Sequence, residues 1–377
     1  MEYGIIKNYD LIQEDCKVED LLDFSESIGQ FSKKLNSIER SAIVGLVGKF
    51  GCGKSTMLYQ IKKSSDNDKQ KWIDFDAWKY PDRRDLWEGF VLDFADQVGN
   101  RKKVTGKIDG KDTKSRLIGA STDILSIIID KLPNLSFMEK FLEIFKASPA
   151  KRVFEIQDIL KQLINAQGKE IYIVIEDIDR SGDAGIYFLE TLKQFIRDTE
   201  IGNKIIAIAP IGDENFAKNN DLYLKCLDYI EYFNPKFTGL SKFVRSIFKE
   251  DLLKSKYSYP DISIHSTEFD CTGQVSTFFD ELFKLKKGMT IRTLKNIIRE
   301  SDLNYISQVL DGHRPDWRVT LCFQASKYLN ITESPAVSWF DKFRHEKQIY
   351  RDTIFASFLA SIVHALPNIY DPHNSTQ

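Results

Sequence analysis

Short unbroken apolar runs alternate with longer apolar stripes of helical period over the first two thirds of the chain. Ile171–Ile175 is an uninterrupted run of strand length, and Ser41–Val47, Trp72–Trp78 and Lys204–Ile211 are strand-like as well. Between them, Val18, Leu21, Leu22, Phe24, Ile28, Phe31 and Leu35 recur near helical spacing and predict a helix over 15–40. Leu86, Trp87, Phe90, Val91, Phe94 and Ala95 lie along one stripe and predict a helix to Val98. Shorter amphipathic segments fall near 117–131 and 135–146, and a third at 152–165 carries Val153, Ile156, Ile159, Leu160, Leu163 and Ile164. Strands alternating with helices give a parallel α/β sheet, and a continuous apolar run marks a central strand covered on both faces. From about 234 only helices are predicted, at Leu240–Leu253, Val275–Leu285, Ile291–Ile298, Val319–Tyr328 and Thr353–Leu366. The expected organisation is an α/β core over 1–233, with a helical and basic insertion at about 84–150, and a C-terminal helical domain over 234–377.

Composition narrows the class. The 377 residues are 42% apolar and 29% charged, as in a folded globular protein, and a net charge of −2 offers no global attraction to nucleic acid or anionic membrane. The two most apolar windows, Ile124–Ile129 and Thr353–Leu366, both fall short of the roughly 18 residues that a membrane span requires. Five scattered cysteines, Cys16, Cys52, Cys226, Cys271 and Cys322, form no C-x-x-C pair and predict reduced thiols in a cytoplasm. The start of the chain, Met1–Lys7, has no apolar run after a basic stretch, so no signal peptide is expected. The histidines are too dispersed for a local ligand set. One local departure stands out: 101–116 holds seven Lys or Arg against two Asp, without an interleaved aromatic. It reads either as a solvated loop or as a contact for nucleic acid or an acidic partner.

The chemistry is concentrated at two strand ends. Gly48-Lys49-Phe50-Gly51-Cys52-Gly53-Lys54-Ser55 fits G-x-x-x-x-G-K-[ST] and follows the predicted strand at 41–47. This is a P-loop, whose glycines let backbone N–H groups curl around phosphates, whose lysine reaches the β- and γ-phosphates, and whose Ser hydroxyl ligates Mg2+. The candidate nucleotide-binding set is therefore Gly48, Gly51, Cys52, Gly53, Lys54, Ser55 and Thr56, with ATP and Mg2+ as cofactors. The strand at 171–175 ends in Glu176-Asp177-Ile178-Asp179-Arg180. Acidic residues at the carboxyl end of a central parallel strand are where a Walker B site belongs.

These motifs, taken in order, resemble the KAP family of P-loop NTPases. The family's G-x-W-G-x-G-K-S-[ST] is matched by Gly48–Thr56 with Phe50 for tryptophan, and its F-N-A-W-[KR]-Y by Phe75–Tyr80 with Asp76 for asparagine. Its h-h-h-h-D-D-L-D-R is matched by Ile173–Arg180 with Glu176 first, while Tyr223-Leu224-Lys225 and Thr290–Lys295 fit later elements loosely. The resemblance implies an additional-strand, AAA-like P-loop core with a helical lid. It makes Ser55, Glu176 and Asp177 the metal-side residues and Asp177 the water-activating base; the pair Asp177 and Asp179 is the alternative. Arg180 acts on a neighbouring subunit's nucleotide or pairs with Asp179, and Arg292 senses the γ-phosphate or is an exposed helix arginine. Many relatives carry membrane helices where this chain has 100–150, so a soluble version is expected. The resemblance further implies an Mg2+-dependent ATPase switch or platform in bacterial phage defence, acting as a homo-oligomer and/or with a co-encoded effector. A nucleotide-gated scaffold with little hydrolysis and a DNA-acting ATPase are the alternatives.

Overall fold

The computed structural model describes residues 4–13, 20–80, 83–98, 149–256, 268–286, 289–313, 315–329 and 354–363. The basic segment 101–116 and the amphipathic segments at 117–131 and 135–146 lie outside them. The chain divides into two compact units, one of Ile28–Gly48 and Leu58–Phe233, the other of Met1–Ser27, Lys49–Met57 and Asn234–Gln377.

The first of these is built on a parallel sheet. β1 (Ala42–Gly48), β2 (Gln70–Asp76), β3 (Glu170–Glu176), β4 (Ile205–Gly212) and β5 (Tyr229–Tyr232) are arranged in the order β2-β3-β4-β1-β5. Every pairing is parallel, with Gly48 opposite Gly212 and Asp76 opposite Glu176. All of β1 and β4 is buried, which is why these segments read as unbroken apolar runs rather than alternating ones. β4 lies between β1 and β3, the additional-strand arrangement. On one face Ile43, Ile73, Ile173 and Ala207 meet three helices, α3 (Arg83–Val98), α4 (Pro149–Asn165) and α5 (Gly182–Phe195). Phe75, Trp87, Phe90 and Phe188 interlock there, with Phe75 and Phe90 5.1 Å apart and Trp87 and Phe188 likewise. Each such fully buried side chain contributes about 1.5–3 kcal/mol.

Several boundaries differ from the sequence expectation for local reasons. The helix expected over 15–40 is α1 (Ser25–Ser37), because the Asp20 carboxylate accepts hydrogen bonds from Leu22 N and Phe24 N and Asp23 takes a positive φ of 60°. These side-chain bonds offer the backbone a turn in place of a helix. Trp78 lies in a single 3-10 turn, Ala77–Lys79, rather than in β2, since the Asp76 carboxylate accepts from Trp78 N and ends the strand. β5 was not anticipated; it is a four-residue edge strand with exposed tyrosines at both ends and no apolar run.

The second unit is mostly helical in its described part. The expected helix Leu240–Leu253 is broken at Phe248 into Leu240–Ile247 and Glu250–Leu253. The break occurs because the N-terminal segment pairs there: Ile6 bridges Phe248, Lys7 N donates to Ile247 O and Lys249 N donates to Ile5 O. Thr272–Leu285, Ile291–Leu310, Trp317–Tyr328 and Ile354–Val363 complete the helices, with a short antiparallel pair formed by Lys254–Lys256 and Glu268–Asp270. Phe355 stacks on Phe278 at 4.6 Å, so the helix Ile354–Val363 is seated within this unit by its aromatic face. Among the described residues no helix is long and apolar enough to cross a membrane.

Candidate functional site: the P-loop and the turn after β3

β1 ends at Gly48 and the chain turns through Lys49–Gly53 into α2 (Lys54–Ser64). Two glycines make the turn, Gly51 at φ 79° and Gly53 at φ 102°, conformations that an L side chain rarely adopts. Space forbids a side chain as well: a Cβ on Gly51 would lie 2.6 Å from the Arg292 Cβ, and one on Gly53 would lie 2.9 Å from the Phe24 ring. Cys52 N donates to Lys49 O and Met57 N to Gly53 O, which fixes the loop and starts the helix. The Lys54 ammonium donates to Lys49 O at 3.0 Å, folding its side chain back over the loop. Ser55 and Thr56 occupy the first turn of α2, half-buried, and Cys52 is buried. The N-terminal end of a helix carries partial positive charge and N–H groups suited to an anion.

Arg292 belongs to this loop's surroundings. Its backbone N–H donates to Gly51 O at 3.3 Å, and its guanidinium lies 4.1 Å from the centre of the Phe50 ring, itself 52% exposed. Thr290 caps the helix Ile291–Leu310 through its hydroxyl, which accepts from Thr293 N. The pairing of Phe50 with Arg292 was not foreseen; the aromatic at the loop tip was its only signal.

The second cluster forms at the carboxyl end of β3. Glu176 is the last strand residue, and Asp177 adopts a left-handed conformation at φ 54° before a 3-10 turn, Ile178–Arg180. Arg180 Nε lies 3.0 Å from Asp177 Oδ1, and its backbone N–H donates to Asp177 O. The expected alternative for Arg180, pairing with Asp179, is thereby corrected: Asp179 points elsewhere, its Oδ2 accepting from Gly212 N at 2.7 Å and from Asn215 Nδ2 at 3.1 Å. The Arg180 guanidinium lies 5.9 Å from the ring of Trp78, which is 57% exposed. Asn215, in the first turn of the helix Asp213–Lys218 after β4, was missed from sequence, where only the polar run following that strand hinted at it.

A buried β1 passing through a glycine cradle into a helix, and an acidic turn ending β3 with β4 between the two strands, define a P-loop nucleotide-binding protein. Residues 24–201 match the model of the KAP family P-loop domain. Among solved structures, Cdc6p from Pyrobaculum aerophilum is similar over 96% of this chain and 85% of its own, with 11% identity and a TM-score of 0.50. The Aeropyrum pernix ORC2 protein in its ADPNP-ADP complexes is similar over 88% of this chain and 73% of its own, with 11% identity and a TM-score of 0.48. At such identity the likeness to Cdc6p is one of fold alone. No curated protein matches the chain.

Proposed function

We propose that the chain binds ATP with Mg2+ and hydrolyses it, using binding or turnover to switch its helical unit. The observation that carries this reading is the glycine cradle at Gly51 and Gly53 between a fully buried β1 and the start of α2. Backbone N–H groups of Gly51–Thr56 would surround the phosphates, and Lys54 would exchange its bond to Lys49 O for the β- and γ-oxygens. Mg2+ keeps several waters and takes few protein oxygens, and the ones we assign to it are the Ser55 hydroxyl and the carboxylates of Glu176 and Asp177. When bound, the metal neutralises charge developing on the phosphate oxygens. Asp177 orients the attacking water and takes its proton, while Arg292 contributes positive charge toward the γ-phosphate once it leaves the Phe50 ring.

The second reading, a nucleotide-gated scaffold with little hydrolysis, is favoured by one observation: the Asp177 carboxylate is paired with Arg180. The ion pair engages one of the two carboxylate oxygens that a base would use. The biological role we propose, phage defence with a co-encoded effector or as a homo-oligomer in the cytoplasm, rests on family analogy alone. Steady-state phosphate release with and without DNA tests the set. Turnover unaffected by DNA supports the switch, binding without turnover the scaffold, and DNA-stimulated turnover a DNA-acting ATPase through 101–116.

A further inference from the structure

Asp177 is one of two described non-glycine residues at positive φ, the other being Asp23. That conformation is disfavoured for a residue with a Cβ, so contacts around the turn must hold it. Two residues on, a single carboxylate oxygen does so: Asp179 Oδ2 accepts from Gly212 N, at the end of β4, and from the Asn215 amide just beyond it. The fit is close, since a Cβ on Gly212 would lie 3.2 Å from that oxygen. On the opposite side Ser181 Oγ donates to Ala77 O, just past β2. β2 and β4 are the two strands that flank β3, so the turn is tied to both of its neighbours.

We propose that Asp179 is a positioning residue: as a two-bond acceptor it fastens the turn to β4 and so sets the backbone from which Asp177 presents its carboxylate. The proposal rests on the reading of Asp177 as the water-orienting group. Its chemistry differs from that of a base or metal ligand in one respect. Both donors reach the same oxygen, so a neutral amide oxygen in that place can accept the same two bonds, though less strongly than a carboxylate, and the fastening does not require the negative charge.

Asp179→Asn keeps such an oxygen, and Asp179→Ala removes it. The experiment compares both variants with the wild-type chain by hydrogen exchange of the 177–182 segment and by steady-state ATP turnover. Asp179→Asn is expected to match wild-type exchange and to keep kcat within about threefold, whereas Asp179→Ala exchanges faster and loses about 10–100-fold in kcat at unchanged KM. Equal loss of turnover in both variants would overturn the proposal, because the charge would then be in use. So would wild-type exchange in Asp179→Ala, because the two bonds would then hold nothing. A wild-type chain without turnover would sink the hydrolysis reading on its own, and the exchange comparison would still decide whether Asp179 holds the turn.

Discussion

The loop after β1 and the turn after β3 both bend the backbone through positive φ at the carboxyl end of a buried strand, but they do so by opposite means. Gly51 and Gly53 reach φ 79° and 102° because they lack a Cβ, and what the loop offers is its backbone. Asp177 reaches φ 54° despite its Cβ, held by Arg180 at its own carboxylate and by the bonds of Asp179 to Gly212 and Asn215. A loop that wraps an anion needs N–H groups and therefore glycine. A turn that presents carboxylates needs side chains, and its shape must come from side-chain fastening. The first device fails when atoms are added, the second when they are removed.

That contrast orders the expected effects. Lys54→Ala should have the largest, lowering affinity for a non-hydrolysable ATP analogue about 10²-fold or more in calorimetric titration, while circular dichroism stays that of the wild type. Its ammonium bonds the Lys49 carbonyl of the same loop, so the fold is expected to survive its removal. Asp177→Asn should follow, with affinity retained and turnover reduced about 10²-fold. Gly53→Ala comes next: the strained φ and the approach to Phe24 should cost about 1–3 kcal/mol in denaturant unfolding and weaken nucleotide binding. Arg180→Ala should be smallest in stability, below about 1 kcal/mol in the same unfolding measurement, because its partly exposed ion pair is solvent-screened.

The two devices also differ in how far they were legible. A P-loop is legible because glycine, lysine and serine at fixed spacing have few other uses, and β1, β3 and β4 are legible because burial on both faces demands unbroken apolar runs. The acidic turn was placed by the run that precedes it, but the partner of Arg180 was not, since choosing between Asp177 and Asp179 depends on a left-handed residue that sequence does not mark. Asn215 and Arg292 act across 36 and 241 residues of chain, on Asp179 and Gly51, and no periodicity encodes such contacts. β5 escaped because a short edge strand has one neighbour and keeps polar, half-exposed positions. The break at Phe248 escaped because it is made by the distant N-terminal segment.

The most direct test of the account is to recover the nucleotide bound by the wild-type chain, by Lys54→Ala and by Asp177→Asn after a single incubation with ATP and Mg2+. The wild type should yield diphosphate, Asp177→Asn intact triphosphate, and Lys54→Ala no bound nucleotide. Retention of nucleotide by Lys54→Ala, or diphosphate from Asp177→Asn as fast as from the wild type, would contradict it.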